Sequence, residues 1–165
     1  MTENLFLKKA FDKIVLDPYE LKLKLRENYS GSKIVLVKGV YDLFHSGHLY
    51  SFTNAKSLGD VLVVAVNSDE KVKKRKGNSR PIINQRERML LIAALDCVDW
   101  VTLYDQETPF ELLKTIKPNV FAASHFDLIT ELQFEELRNF TTFQIISKQG
   151  DNSTTSIINK ILKLM

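Results

Sequence analysis

Two short apolar runs rich in β-branched residues, 33–37 (KIVLV) and 61–66 (VLVVAV), constrain this chain most strongly. Neither alternates with polar residues, so both read as strands buried on two faces, the pattern of a parallel sheet. Between them, Leu49, Phe52, Ala55 and Leu58 recur at helical spacing and Gly59 follows. That is a helix with a glycine stop. The three segments form a strand–helix–strand unit, whose crossover is right-handed.

The alternation continues. Residues 85–96 read as a helix and 98–104 as a strand. A helix starts at Thr108 or Pro109 and ends near Lys117, and Pro118 leads into a strand over 119–123. Residues 131–138 are helical, 143–147 form the last strand, and Ser153 caps a final helix striped by Ile157, Ile158, Ile161 and Leu162. The expected fold class is therefore α/β: a Rossmann-like, doubly wound sheet of about five parallel strands. The 165 residues are expected to form one domain, with 1–32 a helical N-terminal extension and 33–162 the core. Leu5, Phe6, Phe11, Ile14, Leu21, Leu23 and Leu25 of the extension are expected mainly to cover that core, although a role at an interface is open to them. Ligands of such sheets bind beyond the carboxyl ends of the strands, at the switch point. Interest falls on the loops after Val37, Val66, Leu103, Ala123 and Ser147.

Composition narrows the function. Hydrophobic residues make 44% of the chain, too many for disorder throughout. Cys97 is the only cysteine, which excludes a disulfide scaffold, and with three histidines it cannot build a Cys-rich zinc site. It is expected to be a small buried hydrophobe, and Trp100 a core residue. No run approaches the roughly 18 apolar residues of a membrane span, and the N-terminal residues lack a signal-peptide pattern. A cytoplasmic protein is expected. The net charge of +3 is local: residues 71–80 (KVKKRKGNSR) hold six cations and no acid, and without them the remainder stands at −3. Read as a loop, this run suits either solvation or a phosphorylated small molecule, and its limited reach argues against nucleic acid.

The loop after the first strand, 39–48 (GVYDLFHSGH), is neither a P-loop nor a GxGxxG fingerprint. It places His45 and His48 three residues apart at a helix start, around Gly47. Helix N-termini hold phosphates, and imidazoles there add donors for charge that builds during phosphoryl transfer. A histidine pair also serves as metal ligands or as structure, but no third ligand stands nearby.

This loop resembles the G-x-F-D-x-x-H-x-G-H signature of the cytidylyltransferase-like nucleotidyltransferase superfamily. Residues 55–69, 76–101 and 152–161 (NSTTSIINKI) resemble one branch, the bacterial D-glycero-β-D-manno-heptose 1-phosphate adenylyltransferases. The resemblance implies transfer of AMP from ATP to a sugar 1-phosphate, with Mg²⁺, to give ADP-heptose for lipopolysaccharide and pyrophosphate. It implies that His45 and His48 contact the triphosphate, and that Lys76, Arg80 and Arg88 match basic positions where two anions must meet. Gly39, Val40, Tyr41, Gly47, Asn67, Ser124 and His125 are counted among the nucleotide contacts. Ser153, Thr154 and Thr155 would grip a β- or γ-phosphate at the last helix, although an N-cap explains Ser153 alone. Two roles are open to Asp42: holding the loop or assisting magnesium. Arg88 stands in a first helical turn, where the dipole disfavours a cation unless a phosphate binds; the other reading is an exposed arginine paired with an acid. A homo-oligomer, dimer or higher, is implied.

Two segments depart from the family pattern. Lys38 stands where the family has Asn, and Ala122, Ala123, Ser124, His125, Phe126 and Asp127 stand where it carries a Lys-Gly-Gly-Asp-type segment. Lost glycines reshape a close backbone approach. His125 is either a compensating donor or an incidental loop residue. Two rivals stay open: a cytidylyltransferase for glycerol 3-phosphate or another polyol phosphate, and a non-catalytic nucleotide-binding or regulatory protein.

Overall fold

The computed structural model describes residues 4–126, 128–147 and 153–164. Eight helices and five strands follow one another among them: α1 Leu5–Asp12, α2 Pro18–Asn28, β1 Ile34–Gly39, α3 Ser46–Lys56, β2 Val61–Asn67, α4 Asp69–Lys76, α5 Gln85–Ala93, β3 Trp100–Tyr104, α6 Phe110–Ile116, β4 Val120–Ala123, α7 Glu131–Arg138, β5 Thr142–Ile145 and α8 Thr154–Leu162. The strands form a single parallel sheet in the order β3-β2-β1-β4-β5. The chain leaves β1 toward β2 and β3, then returns to the other side for β4 and β5. The switch point therefore lies between β1 and β4.

Burial follows the residue pattern. Every residue of β2 is buried, and so are Val35, Leu36 and Val37 of β1. Val35 and Val37 enter a core with Phe52 of α3 and Met89 and Ile92 of α5. Leu36 enters the opposite core, with Leu112 and Leu113 of α6 and Leu21 and Leu25 of α2. Burying one such side chain is worth about 1.5–3 kcal/mol, so these two layers carry the sheet. Gly59 is needed because a Cβ there would lie 2.5 Å from the Lys33 carbonyl oxygen.

Three expectations are corrected. The cationic run is not a loop: α4 carries it as far as Lys76. Ser68 caps this helix by accepting the Lys71 amide, 3.1 Å away. Asp69 and Glu70 occupy its first turn and four cations its last, the charge order the helix dipole favours. The signal was legible as Ser-Asp-Glu ahead of the basic run. The helix expected over 85–96 ends at Ala93, and the last strand runs Thr142–Ile145 as an exposed edge. The N-terminal extension does cover the core through Ala10, Val15, Leu21 and Leu25, and residues 13–15 also bond to Val101 along the outer edge of β3. Leu5, Phe6, Phe11 and Leu23, by contrast, are exposed.

Candidate active site

The β1–α3 loop is held in an unusual shape. Tyr41 and Leu43 have φ of 55° and 45°, a left-handed conformation that non-glycine residues adopt at a cost of about 1–3 kcal/mol each. Three other segments tie the loop down. The buried Asp42 carboxylate accepts the amides of Ile82 (2.9 Å) and Ile83 (3.0 Å) and pairs with Arg80 (3.4 Å). The Asp42 carbonyl accepts the Thr154 hydroxyl from the first turn of α8. The Val40 carbonyl accepts an Arg88 N–H from α5. Gly39 leaves room for the Tyr41 ring, which would lie 2.7 Å from a Cβ. That ring meets His48 edge-on at 5.4 Å and Phe52 at 4.9 Å.

His45 and His48 stack with ring centroids 3.8 Å apart. His45 is the N-cap of α3, its Nδ1 accepting the Gly47 amide at 3.1 Å. The Nδ1 of His48 accepts the His45 amide at 3.4 Å. With both Nδ1 atoms accepting, each neutral ring carries its hydrogen on Nε2. Two N–H donors are thereby fixed at a helix start, the arrangement that anion binding requires.

A cleft of about 280 Å³ opens at the switch point. Gly39, Val40, Tyr41, Asp42 and His48 line it from the first loop, and Asn67 and Lys76 from β2 and α4. Ser124, His125 and Thr154 complete the set of expected residues that meet there. Lys38, Val72 and Arg75 line it too and were not among the expected contacts. Of these, Lys38 was legible as a departure from the family pattern and Arg75 as part of the basic run. The Asn67 side-chain oxygen is buried and has no hydrogen-bond partner. Ser124 and His125 bond to each other at 2.9 Å.

The other expected residues lie beside the cleft. His45 and Gly47 shape the start of α3, and Arg80 pairs with Asp42. Ser153 caps α8 by accepting the Ser156 amide at 3.0 Å, and Thr155 is exposed on that helix. Asp127, the end of the departing segment, lies outside the described residues. Arg88 requires correction: it is 1% exposed and is absent from the cleft lining. Its guanidinium donates to the carbonyls of Ile83 (2.9 Å), Asn67 (2.8 Å) and Val40, and pairs with Asp69 at 2.7 Å. Four acceptors relieve the dipole penalty that a phosphate was expected to relieve. Asp42 likewise holds the loop, its carboxylate oxygens engaged by N–H groups.

Lys71 was legible as part of the basic run, but its burial was not foreseen. It is buried, its Nζ 3.7 Å from the centre of the Tyr104 ring and 3.2 Å from the Glu107 carbonyl. Burial, reinforced by the charges of Lys38 and Arg75, lowers its pKa to about 8. Lys71 itself does not line the cleft; the cations that do are Lys38, Arg75 and Lys76.

A parallel α/β sheet with a cationic cleft at its switch point and imidazole donors at a helix start defines a protein that handles phosphates. Comparison with known proteins gives the family. Residues 36–161 match the family described as cytidylyltransferase-like, and the chain belongs to it. It is a nucleotidyltransferase. Curated relatives include the bifunctional protein HldE of Helicobacter pylori strain P12, 38% identical over 84% of this chain and 30% of that protein. The HldE of Campylobacter fetus is 38% identical over 96% of this chain and 34% of its own length. The chain thus spans about a third of these relatives. Among solved structures, a lipopolysaccharide core biosynthesis protein from Thermoplasma volcanium is similar with a TM-score of 0.62 and 26% identity, over 73% of this chain and 100% of that one. A pantoate-beta-alanine ligase from Francisella tularensis shares the fold at a TM-score of 0.55 and 17% identity, over 91% of this chain and 77% of its own.

Proposed function

We propose that the chain, acting as one nucleotidyltransferase domain, transfers AMP from ATP to D-glycero-β-D-manno-heptose 1-phosphate, giving ADP-heptose and pyrophosphate. The observation that carries this reading is the convergence of His48, Lys76 and Thr154 on one cleft at the switch point of a chain similar to HldE proteins. An oxygen of the sugar phosphate attacks the α-phosphorus. The bond from that phosphorus to the β-bridging oxygen breaks, and pyrophosphate leaves with the electron pair. No covalent enzyme intermediate is required. The chain's part is to align two anions and offset their charge. The Nε2–H groups of His45 and His48 and the Lys76 ammonium serve the triphosphate. The buried Asn67 oxygen suits a hydroxyl or amino donor of the nucleoside.

Magnesium enters with the triphosphate as part of the substrate. The donor set fits that role: the described residues hold no group of three or more His, Cys, Asp or Glu side chains suited to a metal, and Asp42 is occupied by N–H donors. An ion held chiefly by phosphate oxygens and water agrees with the coordination magnesium prefers. We further propose a cytoplasmic homo-oligomer, dimer or higher, with small-molecule partners and no nucleic acid or membrane. Among the described residues no helix is long and apolar enough to cross a membrane.

The test is pyrophosphate release across ATP, CTP, GTP and UTP with Mg²⁺, each paired with heptose 1-phosphate and glycerol 3-phosphate. Release is expected for ATP with the heptose phosphate. Exclusive turnover of CTP with glycerol 3-phosphate would replace the proposal by the polyol reading. Nucleotide binding with no release from any pair would replace it by a non-catalytic one.

A further inference from the structure

We propose that Lys38 binds the phosphate of the acceptor, the second substrate, and so restricts acceptors to phosphate monoesters; this rests on the nucleotidyltransferase reading above. The argument starts from strand alternation. Val35 and Val37 of β1 face the core of α3 and α5, and Leu36 faces that of α6. Lys38 continues the Leu36 side. The histidine pair starts α3, on the other side of the sheet. The cleft therefore receives donors from two directions, His48 from one and Lys38 from the other, and both line it.

The surroundings of Lys38 favour an anion. It lines the main cleft together with Arg75, Lys76 and His125. Its neighbour on β2 is Ala65. On β4, the pairing of Val37 with Ala122 brings Ala123 alongside as the next position. Both neighbours are alanines, so neither strand places an acidic or hydrogen-bonding side chain at those two positions. Asp42 is the one carboxylate lining the cleft among the described residues, and it is held by Ile82, Ile83 and Arg80.

Lys38 at the end of β1 and Ala123, Ser124 and His125 at the adjoining end of β4 thus fall side by side. A lysine next to a hydroxyl and an imidazole at one cleft is the chemistry of a phosphate seat. A phosphate held by Lys38 keeps an oxygen for attack on the α-phosphorus. The new P–O bond forms as pyrophosphate departs, and no further reactant is needed.

The experiment titrates inorganic phosphate calorimetrically into the protein with the triphosphate site filled by a non-hydrolysable ATP analogue, and again with inorganic tripolyphosphate. Lys38→Ala and the milder Lys38→Asn should each weaken phosphate binding about 10- to 100-fold, the scale of one charged hydrogen bond. Affinity for the ATP analogue should change less than about threefold on that scale. Lys38→Arg should restore phosphate binding. Unchanged phosphate affinity in both variants overturns the proposal, as does an equal fall in analogue affinity, which would put Lys38 on the nucleotide. A wild-type protein that binds no ATP analogue would instead refute the nucleotide reading, and the titration on tripolyphosphate-filled protein would still decide Lys38.

Discussion

Replacing Arg88 by alanine separates the two roles that a cation in this position can have. In the structure, the guanidinium satisfies the carbonyls of Val40, Asn67 and Ile83 and the Asp69 carboxylate. Breaking a buried ion pair costs about 3–5 kcal/mol, because the surviving partners stay desolvated. The Asp69 side chain is 25% exposed and regains some water, so the lower end is the better expectation, about 3 kcal/mol. A domain of this size has about 5–15 kcal/mol in all, and each kcal/mol lowers Tm by about 2–4 °C. Arg88→Ala should therefore unfold roughly 6–12 °C earlier. Arg88→Lys should recover only part of this, since a point charge cannot meet four acceptors. Thermal unfolding by circular dichroism gives the shift, and calorimetry with an ATP analogue gives the affinity of the protein that remains folded. A variant with wild-type Tm and abolished nucleotide affinity would refute the reasoning and return Arg88 to a phosphate.

Three further outcomes are expected. His48→Ala should lower kcat by about 10²–10³ in a protein that still folds cooperatively, and a wild-type rate would remove the histidine from the chemistry. Gly39→Ala should push the Tyr41 ring, and His48 with it, out of place; turnover should fall about tenfold or more, and unaltered kinetics would show that the ring moves without consequence. Lys71 has a folded-state pKa lowered to about 8, so between pH 8 and its ordinary 10.5 the unfolded chain binds a proton that the folded chain does not. Its contribution to stability must then rise with pH across that window. Denaturant unfolding of wild type and Lys71→Met should show the difference between them shifting in favour of wild type from pH 8 to 10.5, whereas a flat difference would mean that burial does not perturb this amine.

Most of the fold was legible because it rests on local signals: unbroken apolar runs for β1 and β2, proline and serine at helix starts, a glycine where two backbones touch. The cleft was legible because strand order puts loops 40–45 and 124–125 at one switch point. What escaped was pairing at long range. Nothing near Arg88 in sequence shows that Val40 and Asn67, 48 and 21 residues away, turn their carbonyls toward it. The helical state of 71–76 was missed because the mass of positive charge masked the Ser-Asp-Glu head that offsets it. Lys38 was visible as an odd residue, but its adjacency to the altered end of β4 exists only in the parallel register.

The strain in the first loop explains why so many segments converge on it. Two left-handed residues, Tyr41 and Leu43, cost about 2–6 kcal/mol together. The offset comes from outside, through Asp42 to residues 82 and 83, through Val40 to Arg88, and through the Asp42 carbonyl to Thr154. Each of these contacts also fixes where the histidine rings stand relative to Lys76 and α8. Donors held in place before the substrate arrives need no reorganisation when charge develops, which is the condition for electrostatic stabilisation of a phosphoryl-transfer transition state. The same ties couple α8 to the site, through the Thr154 hydroxyl bond from its first turn to the loop. A phosphate that meets both Thr154 and His48 would bridge α8 to the loop that carries the histidines.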